Sequence, residues 1–143
     1  MESFETIAGD FAFLDEWEER YKYIIDLGRH LAPLSDEERN ETNKVQGCAS
    51  QVWLVFDPPR NGRLYFRGDS DAHIVKGLVA MMTALFSGKT FQDIIDLDPQ
   101  EKFAEIDLTA HLTPQRANGL SSMVARIKRE AKARLEASAA AEG

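Results

Sequence analysis

Between Ala72 and Ser87 lies the stretch that most limits what this chain can become. Ile74, Val75, Leu78, Val79, Met81, Met82, Leu85 and Phe86 leave a helix of that length with hardly a polar side. A helix that is apolar on most of its faces has to be enclosed, so the remaining residues must wrap around it. A chain of 143 residues, 43% of them hydrophobic, can do this in a single domain, burying about two-thirds of its unfolded surface. Gly88 is placed to end the helix with a left-handed residue. Before it, Gly68-Asp69-Ser70-Asp71 reads as a sharp turn whose last side chains cap the helix start.

Upstream, Phe11, Leu14, Trp17, Tyr21, Ile24, Gly28 and Leu31 recur at helical spacing, which predicts one helix from Asp10, its N-cap, to Ala32, stopped by Pro33. Ser35 to Glu38 has the spacing of a capping box. Gln51–Asp57 and Arg63–Arg67 are rich in β-branched and aromatic residues, and Asn61-Gly62 between them tolerates the positive φ of a tight hairpin. Thr90 and Asp98-Pro99 open two short helices, and Thr113-Pro114 opens a long one with the stripe Ala117, Leu120, Val124, Ile127, Ala131 and Leu135. Its end should fray from about Ser138. Helices and strands come in runs and do not alternate, so the expected fold class is α+β, one domain over residues 1–143 with a small antiparallel sheet flanked by helices.

Charge narrows the function. With 17 basic and 24 acidic side chains and a net charge of -7, the chain is not a default nucleic-acid binder. The acid is concentrated in residues 1–41, net −8, whereas Arg126–Leu135 carries a net +4. Met1–Asp10 lacks the basic start and apolar run of a signal peptide, and the apolar stretch Ile74–Phe86 is too short to span a bilayer. The expectation is a cytoplasmic protein that does not engage a membrane.

A single cysteine excludes an intrachain disulfide and a Cys-rich metal site. Cys48 sits in the polar stretch Gln46-Gly47-Cys48-Ala49-Ser50-Gln51, outside any apolar period. Two readings stand: a small buried hydrophobe, or a reactive thiol on a loop that Gly47 frees. A cysteine hydrolase would need a histidine base. His30 and His73 read as surface or capping groups, which leaves His111 as the one credible partner. No two histidines share a metal-ligand spacing, so no metal is expected. Arg116 falls in the first turn of the last helix, where a cation opposes the helix dipole at a cost of about 0.3–1 kcal/mol. It is either a solvated arginine or one with a compensating partner: a carboxylate of the same chain or another protein, or an anionic sulfur.

Three segments in order then make the sequence recognisable: Val45-Gln-Gly-Cys-Ala-Ser-Gln-Val-Trp53, Gly68-Asp-Ser-Asp-Ala-His-Ile-Val-Lys-Gly77 and Leu112-Thr-Pro-Gln-Arg-Ala-Asn-Gly119. With Trp17–Gly28 ahead of them, the chain resembles the SufE family along nearly its whole length. The family fold is α+β and related in shape to iron–sulfur scaffold proteins. The resemblance implies that Cys48 accepts a sulfane sulfur from the persulfide of a pyridoxal-phosphate (PLP)-dependent cysteine desulfurase, SufS-like or a paralogue. It implies that the chain stimulates that enzyme and delivers sulfur to an iron–sulfur scaffold. Asp71 and Arg116 match positions associated with the cysteine loop and partner docking, and Gln51 falls in the loop motif. A homodimer is compatible with the family, and no resident cofactor is expected. His73 and the Pro58-Pro59 turn depart from the family pattern, both outside the cysteine loop.

The chemistry agrees with that implication, because passing sulfur between persulfide and thiol needs one nucleophilic sulfur and no base pair. The alternative is an allosteric desulfurase activator in which Cys48 carries nothing. A Cys48–His111 hydrolase is a third class, and a scaffold role fails on ligand count unless subunits combine.

Overall fold

A computed structural model describes residues 3–142. The first helical segment is not continuous: it is α1 (Phe4–Ala12) and α2 (Trp17–Arg29), with a break over residues 13–16. Ser3 is the N-cap of α1, accepting from the Thr6 N–H, so the expected cap at Asp10 is corrected. Asp10 lies in the last turn of α1 and accepts the Tyr23 hydroxyl. The break holds because the Arg20 guanidinium donates to the carbonyl of Leu14 (2.9 Å), just past the helix, and to that of Phe11 (3.0 Å), which also accepts the Leu14 N–H. Ser35 and Glu38 do form reciprocal capping-box bonds, at 3.0 and 3.1 Å, around a single turn.

The strands are β1 (Val52–Phe56), β2 (Arg63–Leu64), β3 (Phe66–Ser70) and β4 (Lys89–Thr90), all in antiparallel pairs. Asn61 and Gly62 have φ of 55° and 69° and turn the chain between Arg60 and Arg63 as expected. The pairing around that turn is different. β1 pairs with β3, from Val52 opposite Ser70 to Phe56 opposite Phe66, while β2 leaves to pair with β4. Gly68–Ser70 is therefore strand, not a sharp turn. The Asp69 carboxylate is buried there, which is tolerable because Arg39 and Lys76 each approach to 3.4 Å.

α3 (His73–Phe86) occupies the centre. Its Leu78, Val79, Met81, Met82, Leu85 and Phe86 are all 1% exposed or less, each contributing about 1.5–3 kcal/mol by leaving water. No side chain caps its start at Ala72. α2 crosses α3 at backbone distance: a Cβ on Gly77 would lie 2.7 Å from the Ile24 carbonyl carbon, and one on Gly28 would lie 2.8 Å from the Gly77 nitrogen. Gly88, with φ of 87°, follows the helix end as expected.

α4 (Phe91–Asp96) and α5 (Pro99–Glu105) start at their expected caps, Thr90 and Asp98. A 3-10 turn (Thr109–His111) leads into α6 (Pro114–Glu142), where Thr113 Oγ1 accepts the Arg116 N–H at 3.3 Å. α6 stays helical through Ser138 to Glu142, past the point where fraying was expected. It lays Leu120, Met123, Val124, Ile127 and Ala131 on the core. Among the described residues no helix is long and apolar enough to cross a membrane.

Candidate functional site

Cys48 sits at the tip of a short reversal of the chain. Residues 43–45 run antiparallel to β1, with Val45 N–H bonded to the Val52 carbonyl (2.8 Å) and Leu54 N–H to that of Asn43 (2.9 Å). The loop between them is fastened at both ends. Downstream, Asp71 Oδ1 accepts the Gln51 N–H at 3.0 Å, and the Ser70 hydroxyl donates to the Gln51 carbonyl at 2.7 Å. Asp71 and Ser70 thus clip the loop exit and do not cap α3. Upstream, Arg126 of α6 donates to the carbonyls of Thr42 (3.0 Å) and Lys44 (3.3 Å).

Between the clips the loop lies across α6. Gly47 has φ of 90°, which favours glycine, and a Cβ there would stand 2.6 Å from Ser122 Oγ, which would have to rotate away. The half-buried Cys48 points its Sγ at the Gly119 carbonyl, 3.6 Å away. A recess of about 210 Å³ opens beside the sulfur, with Val75, Leu78 and Met123 buried in its wall and Gln115 and Arg116 on its outer side. Burial pushes the Cys48 thiol above its ordinary value, so the resting group is S–H.

Arg116 reaches this recess from the first turn of α6, and its guanidinium lies 5.8 Å from the centre of the Tyr21 ring. Among the described residues no carboxylate pairs with it. The cation that opposes the helix dipole is offset by an aromatic face and stands open to an anion beside Cys48. Gln51 and Asp71 meet at the loop exit through the Gln51 backbone, while Cys48 and Arg116 share the recess. All four therefore surround one loop.

His111 does not join them. It stacks on Trp17 (4.3 Å between centres, 14° between planes) and lies 3.4 Å from Asp107. His111 does not line the Cys48 recess, so the third class weighed above, a Cys48–His111 hydrolase, gains no support. His30 faces the Asp26 carbonyl and His73 opens α3. Among the described residues no group of three or more His, Cys, Asp or Glu side chains could hold a metal ion. Gly119 and Ser122, the residues of α6 that seat the loop, carried no chemical signal in the sequence. A glycine inside a long helical stretch was the one available hint.

An uncharacterized SufE-like protein of Rhizobium meliloti (strain 1021) is 53% identical over 140 residues, 96% of this chain and 100% of that protein. Another from Rhizobium etli is also 53% identical over 140 residues, 96% of this chain and 95% of its own length. The solution structure of a hypothetical protein from Thermus thermophilus superposes with a TM-score of 0.74, covering 93% of this chain and 96% of that one. At 17% identity this likeness shows the fold, an α+β arrangement of helices around small antiparallel sheets. Residues 5–131 match the family model described as SufE, an Fe-S metabolism associated domain, and the chain belongs to the SufE family.

Proposed function

We propose that this protein takes a sulfane sulfur onto Cys48 from the persulfide of a PLP-dependent cysteine desulfurase, stimulates that enzyme by emptying it, and passes the sulfur on for iron–sulfur cluster assembly. The observation that carries this reading is the setting of Cys48. The chain's one cysteine stands at the tip of a loop clipped at both ends, half-buried beside a recess that an arginine enters.

The transfer is a thiol–disulfide exchange. The Cys48 thiolate attacks the outer sulfur of the donor persulfide, the donor S–S bond breaks, and the donor cysteine leaves as thiolate. Cys48 then carries S–SH, and the moved sulfur keeps its oxidation state. A second exchange onto an acceptor thiol of the scaffold reverses the chemistry. Burial keeps the resting thiol protonated, so it is a poor nucleophile until it leaves the Gly119 carbonyl and meets its donor. In this reading the Arg116 guanidinium, in the wall of the same recess, meets the anionic sulfur once transfer begins. The clip on Gln51 ties the loop exit to the end of β3.

Intact-mass measurement after incubation with holo-desulfurase and cysteine tests this. The expected result is one added sulfur on Cys48, removed by a thiol reductant and absent in Cys48→Ser. Desulfurase turnover with no adduct refutes the carrier reading. Undiminished stimulation by Cys48→Ser makes the chain an allosteric activator instead.

A further inference from the structure

The cysteine loop divides the surface of α6 into two recesses, and the second has no part in the chemistry above. Where Gly47 rests on Ser122, the Cys48 recess ends and another of about 200 Å³ begins. Val45 and Gln46 border it from the loop, and Ser122, Arg126 and Arg129 border it from one face of α6. Neither recess has an aspartate or glutamate in its wall, on a chain whose net charge is -7. The nearby Glu130 is spent, since Arg126 and Arg134 both hold it and keep its carboxyl below the usual range against the opposing effect of burial. Arg129 is exposed and, among the described residues, has no ion-pair partner. The cysteine loop is therefore edged by positive charge on an acidic molecule.

We propose that this second recess is a docking notch for a carboxylate on the surface of the protein that presents sulfur to Cys48, with Arg129 as its main contact. The inference rests on the sulfur-acceptor reading, which brings such a partner to the loop. A protein surface is the occupant because of where the notch lies. Gln46 is two residues from Cys48, so a macromolecule engaging the thiol also covers the notch and strips water from Arg129, which strengthens a charge–charge contact. A free anion would leave the guanidinium hydrated and gain little. The acidic remainder of the chain repels an acidic partner face, so this edge also sets the orientation in which the partner is accepted.

The test is the concentration of this protein that half-saturates the holo-desulfurase, measured at low and high salt. Arg129→Glu should raise it about tenfold at low salt, with the difference shrinking as salt screens the contact. Arg129→Lys should recover most of the affinity, and Lys22→Glu, the same charge change on α2, should leave it unchanged. Sulfur loaded onto Cys48 at saturating concentration should match the wild type in every variant. An Arg129→Glu protein that binds no more weakly than Lys22→Glu overturns the proposal. If the wild type binds, Arg129→Glu weakens binding, and yet no sulfur reaches Cys48, the notch stands and the carrier reading falls.

Discussion

Gly47→Ala isolates what holds the cysteine loop shut. In the closed loop residue 47 has φ of 90°, which an L side chain adopts at a cost of about 1–2 kcal/mol. The new methyl group also meets Ser122 Oγ at 2.6 Å, but that atom ends a short side chain and can rotate away, and Ser122 Cβ is at an ordinary 3.5 Å. Strain is therefore the larger part of the cost. An open loop relieves it, because residue 47 is then free to take negative φ. The ratio of open to closed loop should rise about 5- to 30-fold, the equilibrium equivalent of that strain. The assay is the rate at which a small disulfide reagent modifies Cys48, since the thiol reacts from the open form. Adding Ser122→Ala to Gly47→Ala removes the hydroxyl contact and leaves the strain, so the double variant should react within about two-fold of the single one. A Gly47→Ala protein that reacts at the wild-type rate refutes the reasoning, and so does a return to that rate in the double variant.

Three further outcomes follow from contacts described above. Asp71→Ala leaves the Gln51 N–H without its carboxylate, and because Asp71 is exposed, water replaces part of the bond. The loss of about 1 kcal/mol should speed hydrogen exchange at Gln51 about five-fold, with little change in melting temperature. Gly77→Ala forces a methyl group into the backbone of α2, which no rotamer relieves, so urea denaturation should show a loss of about 1–3 kcal/mol or more. The Arg67 guanidinium, helped by the Ser35 N–H, lowers the Glu38 carboxyl from 4.5 to about 2. A depressed carboxyl stabilises the fold above its unfolded value and stops doing so as pH falls through its folded one. The wild type should therefore lose melting temperature between about pH 4.5 and about pH 2, and Glu38→Gln should flatten that slope.

Which features the sequence disclosed depends on how far apart the interacting groups lie. α3 was legible because its composition admits one environment. The starts of α4, α5 and α6 were legible because a cap and its N–H lie within three residues of each other. The break between α1 and α2 was hidden, since the apolar period runs straight through it and the cap is Arg20, well down the next helix. The partner of β2 was hidden for a related reason: β4 lies on the far side of α3, and two-residue strands carry no pattern. At the candidate site, Cys48 stood out because no apolar period accounts for it. From spacing alone Asp71 was misread as a cap, because its partner is a backbone N–H reached across the sheet, and only the family resemblance tied it to the cysteine loop. Ser122 was invisible, and Gly119 showed only as a glycine inside a helical stretch that closes a family-like segment, because their contribution is a surface against which the loop rests.

The hollow beside Cys48 bears on how a loaded molecule differs from an empty one. A water molecule claims about 30 Å³ of liquid, and one sulfur atom is of similar bulk, against about 210 Å³ of space. Freight of that size can be stowed with every neighbouring wall left in place. If Cys48 ferries sulfur, full and empty carriers then share one outline, and a downstream recipient must tell them apart by the reactivity of the added atom and not by contour.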